Sequence, residues 1–91
     1  MKRYVIERHI PGVGSLSQSQ YKELAATSNG AVAKLAGAIQ WVHSYITADH
    51  TFCIYLAASD ESVREHSRLA GFPITRVHEA VTVIDPLTAF P

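Results

Sequence analysis

The sequence predicts one α+β domain of the ferredoxin-like kind, with the element order βαββαβ and both helices on one face of a four-stranded antiparallel sheet. Two observations lead to this prediction. Four segments are rich in the β-branched and aromatic residues that favour strands, and only a short polar link separates the second from the third. Two segments with helically spaced apolar residues stand between the first and second strands and between the third and fourth.

The composition is that of an ordinary globular domain and argues against several kinds of protein. Of the 91 residues, 47% are hydrophobic and 18% charged, and the eight basic and eight acidic residues cancel. A balanced charge argues against a nucleic-acid partner, and no apolar stretch is long enough for a signal peptide or a membrane span. We therefore expect a cytoplasmic protein without a membrane partner. Its single domain should cover residues 1–86 and leave 87–91 as a tail.

The first strand and the first helix are bounded by residues with strong conformational preferences. The strand is predicted over Tyr4–Ile10, because the Pro-Gly-Val-Gly segment that begins at Pro11 suits neither a strand nor a helix. The helix is predicted over Ser17–Ala36, where the apolar positions keep a helical period. Gln20 stands three residues after Ser17, which is the spacing of a capping box.

The second and third strands are predicted over Ile39–Ala48 and Thr51–Ala58, as a hairpin with a two-residue turn at Asp49-His50. Successive side chains of a strand point to opposite faces, so the pairing divides these residues into two sets. One face receives the larger residues Trp41, His43, Tyr45, Phe52, Ile54 and Leu56. The other receives Val42, Ser44, Ile46, Cys53, Tyr55 and Ala57.

The second helix is predicted between Ser59, which can cap its first turn, and Gly71, which suits its end. Its inward stripe consists of Val63, His66, Ser67 and Ala70. The last strand is predicted over Ile74–Ile84, where valines alternate with polar residues. The helices would cover Val77, Val81 and Val83, and the opposite face would carry Arg76, His78 and Thr82.

The sheet face turned away from the helices is predicted to be apolar and aromatic, whereas the solvated face of an antiparallel sheet is normally polar. Its large residues are Trp41, Tyr45, Phe52, Ile54 and Leu56. A patch of this kind normally marks an interface, so we expect a homodimer that packs sheet on sheet. The alternative is that the C-terminal tail folds back over this face through Leu87 and Phe90.

Three of the five histidines share this predicted open face with a carboxylate. Glu7 and His9 alternate with Ile6 along the first strand, and they reach the open face if Ile6 packs under the helices. They would then meet His43 and His78 there. Imidazole and carboxylate groups are ligands of divalent metals such as nickel, zinc and copper. Protonated histidines that bind a small anion, and hydrogen-bonded polar residues in a dimer interface, are the competing interpretations.

The remaining two histidines have less specific surroundings. His50 is predicted in the hairpin turn, as a solvated residue. His66 lies on the inward side of the second helix, either as a hydrogen-bonded core residue or as a ligand, and could line a pocket with Tyr45 and Tyr55. The sequence contains no Cys-x-x-Cys, His-x-x-x-His or His-Glu-x-x-His motif and no nucleophile elbow.

Several segments resemble a bacterial family of small domains of unknown function. The likeness covers nearly the whole chain and includes the first strand at 4–8, the runs 41–45 and 51–55, and the second helix from 63–66 through 71–73. The family pattern is matched at Glu7, Trp41, Ser44, Cys53, Tyr55, His66 and Gly71. The resemblance implies a dimeric α+β barrel with a ferredoxin-like fold and, from one branch of the family, nickel binding. It leaves open a second ligand set under the helices, in which Glu7 acts with His66 and Tyr55.

These observations together favour a non-catalytic binding protein for a divalent transition metal, nickel first, that works as a homodimer. A second hypothesis is a cofactor-free enzyme of the oxygenase or isomerase type, or a small-ligand binder, that uses the barrel cavity. It rests on analogy of fold, with Glu7 or a histidine as the acid or base. A purely structural dimerisation module is the third hypothesis.

Overall fold

The protein forms a four-stranded antiparallel sheet with both helices on one face. A computed structural model describes residues 1–91. The strands are β1 (Lys2–His9), β2 (Ile39–Ile46), β3 (His50–Ala57) and β4 (Arg76–Ala80), and the helices are α1 (Gln18–Ala33) and α2 (Asp60–Ala70). The spatial order β2-β3-β1-β4 is that of the ferredoxin-like fold, which confirms the predicted fold class.

Both helices begin next to the serine that the sequence predicts as their cap. The Ser17 side chain accepts a hydrogen bond from the Gln20 amide, and the Gln20 side chain accepts one from the Ser17 amide, which completes the capping box. Ser59 caps α2, and Gly71 ends it with a φ of 75°. No helix of the chain is long and apolar enough to cross a membrane.

The hydrophobic core lies between the helices and the inner face of the sheet. Alternate residues of β1 and β3 enter it, and Ile6 is fully buried there. This placement confirms that Ile6 packs under the helices, which turns its neighbours along β1 to the open face. The core cluster consists of Tyr4, Ile6, Ile39, Cys53, Tyr55, Ala57 and Val63.

The hairpin between β2 and β3 turns one residue earlier than predicted. Its turn consists of Ala48 and Asp49, and Tyr45 therefore pairs with Phe52. The partners change by two positions relative to the prediction, and a shift of two residues does not exchange the faces of a sheet. Tyr45 and His43 thus remain on the predicted open face.

A β-bulge at Val42 places Trp41 on the opposite face from His43. Trp41 pairs with Tyr55 and His43 pairs with Ile54, which leaves Val42 as an extra residue in the ladder. Trp41 therefore packs against the core under the helices, and Val42 is 39% exposed. The prediction that Trp41 faces away from the helices is wrong, because the bulge breaks the alternation of β2.

The last strand is shorter than predicted and ends with the pair of Ala80 and Arg3. The residues beyond Ala80 leave the sheet, and Val81 is 94% exposed rather than covered by a helix. A short 3-10 helix at Pro86–Ala89 follows. The predicted strand over Ile74–Ile84 is thus wrong in length, and Val83 is also exposed.

The C-terminal tail does not pack over the open face. Leu87 is 75% exposed and Phe90 is 69% exposed. The alternative in which these two side chains cover the sheet is therefore not what the structure shows.

Candidate functional site

The open face of the sheet carries four of the five histidines. Ile6 and Arg8 are buried under the helices, so Glu7 and His9 point to the other side of β1. His43 and His78 lie on the same side, in the cross-strand row His43, Ile54, Val5, His78. The structure therefore brings the four residues Glu7, His9, His43 and His78 to one face, as the alternation of the strands predicts.

Two pairs of titratable side chains lie close together within this face. Glu7 Oε1 lies 3.9 Å from His78 Nε2. His9 pairs across the ladder with His50, and their ring centroids are 4.8 Å apart. His50 was predicted as a solvated turn residue, but it begins β3, because the turn lies one residue earlier. Each pair presents two nitrogen or oxygen atoms that could bind a metal.

The four predicted ligands do not meet around one point in a single chain. Two strands separate His43 from His78, and at about 4.8 Å per step across the sheet their backbones lie about 14 Å apart. No group of three or more histidine, cysteine, aspartate or glutamate side chains in the chain is placed to hold a metal ion. A single chain therefore brings no more than two such side chains together at one point of this face.

A second group of polar side chains is buried on the helix side of the sheet, with Arg8 at its centre. Arg8 is only 1% exposed, and its Nη1 donates to Ser67 Oγ at 3.0 Å and to the Pro73 carbonyl at 2.8 Å. The guanidinium carbon also lies 5.2 Å from the centre of the Phe72 ring, in a cation–π contact. These contacts hold a permanently charged group inside the domain.

His66 and Tyr55 stand beside Arg8 and are uncharged at neutral pH. His66 Nε2 is hydrogen-bonded to Ser28 Oγ at 3.1 Å, and its ring centroid lies 4.8 Å from that of Tyr55. Burial lowers the pKa of His66, and the charge of Arg8 lowers it further. Burial raises the pKa of Tyr55, although Ser28 and Arg8 oppose this shift. Arg8 is thus the fixed charge of the cluster.

The sheet separates residues that the sequence analysis groups together. Tyr55 and His66 lie close to each other, but Tyr45 is 60% exposed on the opposite face, so the three do not line one pocket. Glu7 is also on the open face, which removes the alternative ligand set of Glu7 with His66 and Tyr55. The reason is the strict alternation of β1, where Glu7 follows the buried Ile6.

Arg8 and Ser28 are not among the functional candidates predicted from the sequence. A signal for Arg8 was present, because it stands two residues after Ile6 and therefore on the same buried face. A charged residue in such a position is unusual and normally has a partner. Ser28 carried no comparable signal, since a serine on a helix surface is common.

Comparisons with known proteins agree with this fold. A family described as "Nickel responsive protein SCO4226-like" matches residues 4–80. The crystal structure of SCO4226 from Streptomyces coelicolor A3(2) is similar at a TM-score of 0.76 and 12% sequence identity, over 90% of this chain and 99% of that one. At that identity the likeness shows the fold alone. No curated protein matches the chain. Because the family match spans most of the sequence, the chain belongs to the SCO4226-like family of nickel responsive proteins.

Proposed function

We propose that this protein is a non-catalytic nickel-binding protein that works as a homodimer, with the metal held at the open faces of two sheets. The observation that carries the proposal is the pair of Glu7 and His78, a carboxylate and an imidazole 3.9 Å apart on an uncovered sheet face. Membership of a nickel responsive family supports nickel among the divalent metals that accept such ligands.

The Glu7–His78 pair has the dimensions of half a metal site. Two ligands about 2.1 Å from a tetrahedral metal are about 3.4 Å apart, so a small rotation of either side chain brings the pair into range. Both side chains are reached by solvent, His78 more than Glu7. A shell of two protein ligands is incomplete, and a second copy of the chain is the natural source of the rest.

A two-fold axis that runs parallel to the strands between two facing sheets would supply a third ligand. Such an axis reverses the strand order, so β2 of the partner would lie over β4. His43 and His78 belong to the same cross-strand row. The partner subunit's His43 would therefore come to lie over the Glu7–His78 pair, across the roughly 10 Å that separates packed sheets. Symmetry would repeat the arrangement and give two equal sites.

The middle of the open face supports the dimer on separate grounds. Val5, Phe52, Ile54 and Leu56 are only partly buried in the single chain, and Tyr45 is exposed. The two helices lie on the other side of the sheet and leave these apolar side chains without cover. A second sheet would remove them from water, and burial of such a patch is a common driving force for association.

Calorimetric titration of chelator-stripped protein with nickel tests the proposal. We expect one nickel per chain, and we expect His43→Gln and His78→Gln each to weaken binding by about tenfold or more. His9→Gln is the matched control, because it changes the same residue type on the same face outside the Glu7–His78 pair. Sedimentation of the same samples should give a dimer. Absence of binding heat, or equal affinity in all three variants, contradicts the proposal.

The control also separates the two histidine-containing pairs. If His9→Gln weakens nickel binding and His78→Gln does not, the His9–His50 pair is the metal site and the assignment to Glu7 and His78 is wrong.

A further inference from the structure

An apolar cavity lies between α1 and the inner face of the sheet, on the opposite side from the histidine pairs. Its volume is about 260 Å³, and most of its lining residues are hydrophobic. Leu24 and Ala25 of α1 belong to one wall, and Trp41 and Tyr55 belong to the other. Ile46, on the edge strand β2, also lines the cavity and is 43% exposed, which places its opening beside β2.

Small side chains on both walls keep this space open. The helix α1 contributes Ala25 and Ser28, and the sheet contributes Ser44 and Cys53, which pair with each other across β2 and β3. Protein interiors are normally close-packed, with few voids larger than a water molecule. A volume of 260 Å³ is far larger, since it equals about nine water molecules at the ~30 Å³ that each occupies in the liquid. The cavity therefore has the size of a ligand site and not of a packing defect.

The walls of the cavity offer no charged atom to a ligand. Arg8 is the one charged residue of the lining, but it is only 1% exposed. Its Nη1 donates to Ser67 and to the Pro73 carbonyl, and its Nε and Nη2 are buried. The Tyr21 hydroxyl is also engaged within the chain, because it donates to the Val13 carbonyl at 2.7 Å. The surface that a ligand would contact is thus almost entirely apolar.

This surface determines the charge and polarity of a ligand that fits. A charged molecule would leave water without an accessible partner in the cavity, and this loss of hydration is costly. Trp41 Nε1 donates to Ser44 Oγ at 2.9 Å, and the Ser44 hydroxyl keeps a proton of its own that can donate to an acceptor. The walls therefore suit an uncharged molecule with a hydrocarbon body and one acceptor atom.

We propose that this cavity binds a small uncharged organic molecule, mainly hydrocarbon, of about ten non-hydrogen atoms. The size follows from proportion, since an apolar cavity of about 150 Å³ binds benzene, with its six carbon atoms, and this one measures 260 Å³. Such a ligand is smaller than most cofactors. The site is independent of the proposed metal site, because the sheet lies between them.

Acetophenone and benzoate are a matched pair of probes. Each has a phenyl ring with a flat head group of the same size, but the ketone is neutral and the carboxylate is charged. Trp41 is the single tryptophan and lines the cavity, so its indole N–H gives one signal in a nitrogen–proton NMR spectrum that reports on the site. Titrations use the full chain with a chelator, which removes any effect of metal on the open face.

We expect acetophenone to shift the Trp41 signal in a saturable way, with a dissociation constant in the millimolar range or tighter. Benzoate should bind at least about tenfold more weakly, because its carboxylate would lose water without gaining a partner. Nuclear Overhauser contacts between the acetophenone ring and the Trp41 indole should place the ligand inside the cavity of the native chain.

A pair of variants on α1 tests the location independently. Ala25→Leu fills the cavity and should abolish most of the acetophenone binding. Ala26→Leu introduces the same side chain at the exposed neighbouring position and should bind as the native chain does. Urea unfolding of both variants shows whether they are folded, and the contacts to Trp41 locate the ligand in the native chain whatever that result.

Three results would overturn the proposal. They are the absence of a saturable Trp41 response to acetophenone, binding of benzoate as tight as that of acetophenone, and unchanged affinity in a folded Ala25→Leu variant. Failure of nickel to bind would leave this site unaffected, since the titrations contain no free metal.

Discussion

The buried imidazole of His66 should make the stability of the fold depend on pH in a direction that the structure determines. His66 has no exposed surface, its Nε2 is hydrogen-bonded to Ser28, and its Nδ1 has no partner. Burial first, and then the charge of Arg8, lower the pKa of His66 below its ordinary value of 6.5. Protonation would place a second positive charge beside the buried guanidinium.

The sign and size of the effect follow from the protons bound in each state. Between pH 6.5 and the lowered pKa of the native state, the unfolded chain holds a proton on His66 that the native chain does not. The free energy of unfolding therefore decreases as the pH falls through this window, by up to about 1.4 kcal/mol per pH unit. Well above pH 6.5 His66 is neutral in both states, and its contribution to stability is fully present.

Urea unfolding at a series of pH values measures this effect, and His66→Gln isolates it. Glutamine can still form a hydrogen bond with Ser28 but does not titrate. The difference in unfolding free energy between the two proteins should change below pH 6.5 and stay constant above pH 7.5. If the two curves run parallel from pH 7.5 down to pH 5, His66 is not held neutral by its surroundings and the reasoning is wrong.

Three further predictions are all measured by urea unfolding midpoints. Ile6→Ala should reduce the unfolding free energy by about 2–5 kcal/mol, because Ile6 is fully buried, whereas Ile84→Ala, at a 75% exposed position, should change it by less than about 0.5 kcal/mol. Similar decreases in unfolding free energy in the two variants would show that Ile6 does not belong to the core. Gly14→Ala should destabilise by about 1–3 kcal/mol, since a Cβ there would lie 2.6 Å from the Thr47 carbonyl oxygen. Gly30 lies inside α1 with no atom within 4 Å of the new Cβ, so Gly30→Ala should instead raise the unfolding free energy by about 1 kcal/mol. A lower unfolding free energy in this variant would contradict the placement of Gly30 inside a regular helix.

The fold class could be predicted because local signals and global pattern agree. The capping serines, the glycine after α2 and the β-rich segments each predict an element, and the order of the elements leaves one common fold. The ends of β4 could not be predicted in the same way. The residues after Ala80 alternate like a strand, but alternation alone does not show where pairing stops, and the ladder with β1 stops at the pair of Arg3 and Ala80.

The candidate site was predictable to the extent that alternation decides which way a side chain points. The orientation of Glu7 and His9 follows from the burial of Ile6 in the same strand. The orientation of His43 follows from the hairpin pairing, even though the turn is one residue away from the expected position. The placement of Trp41 could not be predicted, because no feature of the local sequence indicates the bulge at Val42. The burial of the Arg8 guanidinium could not be foreseen in detail either, because it depends on hydrogen bonds to Ser67 and Pro73, which lie far away in sequence.

The bulge in β2 has a consequence for how this strand tolerates deletions and insertions. Removal of one residue from a regular strand turns every residue on one side of the gap to the wrong face. Val42 is the extra residue of its ladder, so a chain that lacks it would pair Trp41 and His43 with the same partners, in an uninterrupted register. Length variation among relatives of this protein should therefore concentrate at this point of β2, where a residue can be lost without exchange between the helix side of the sheet and its open face.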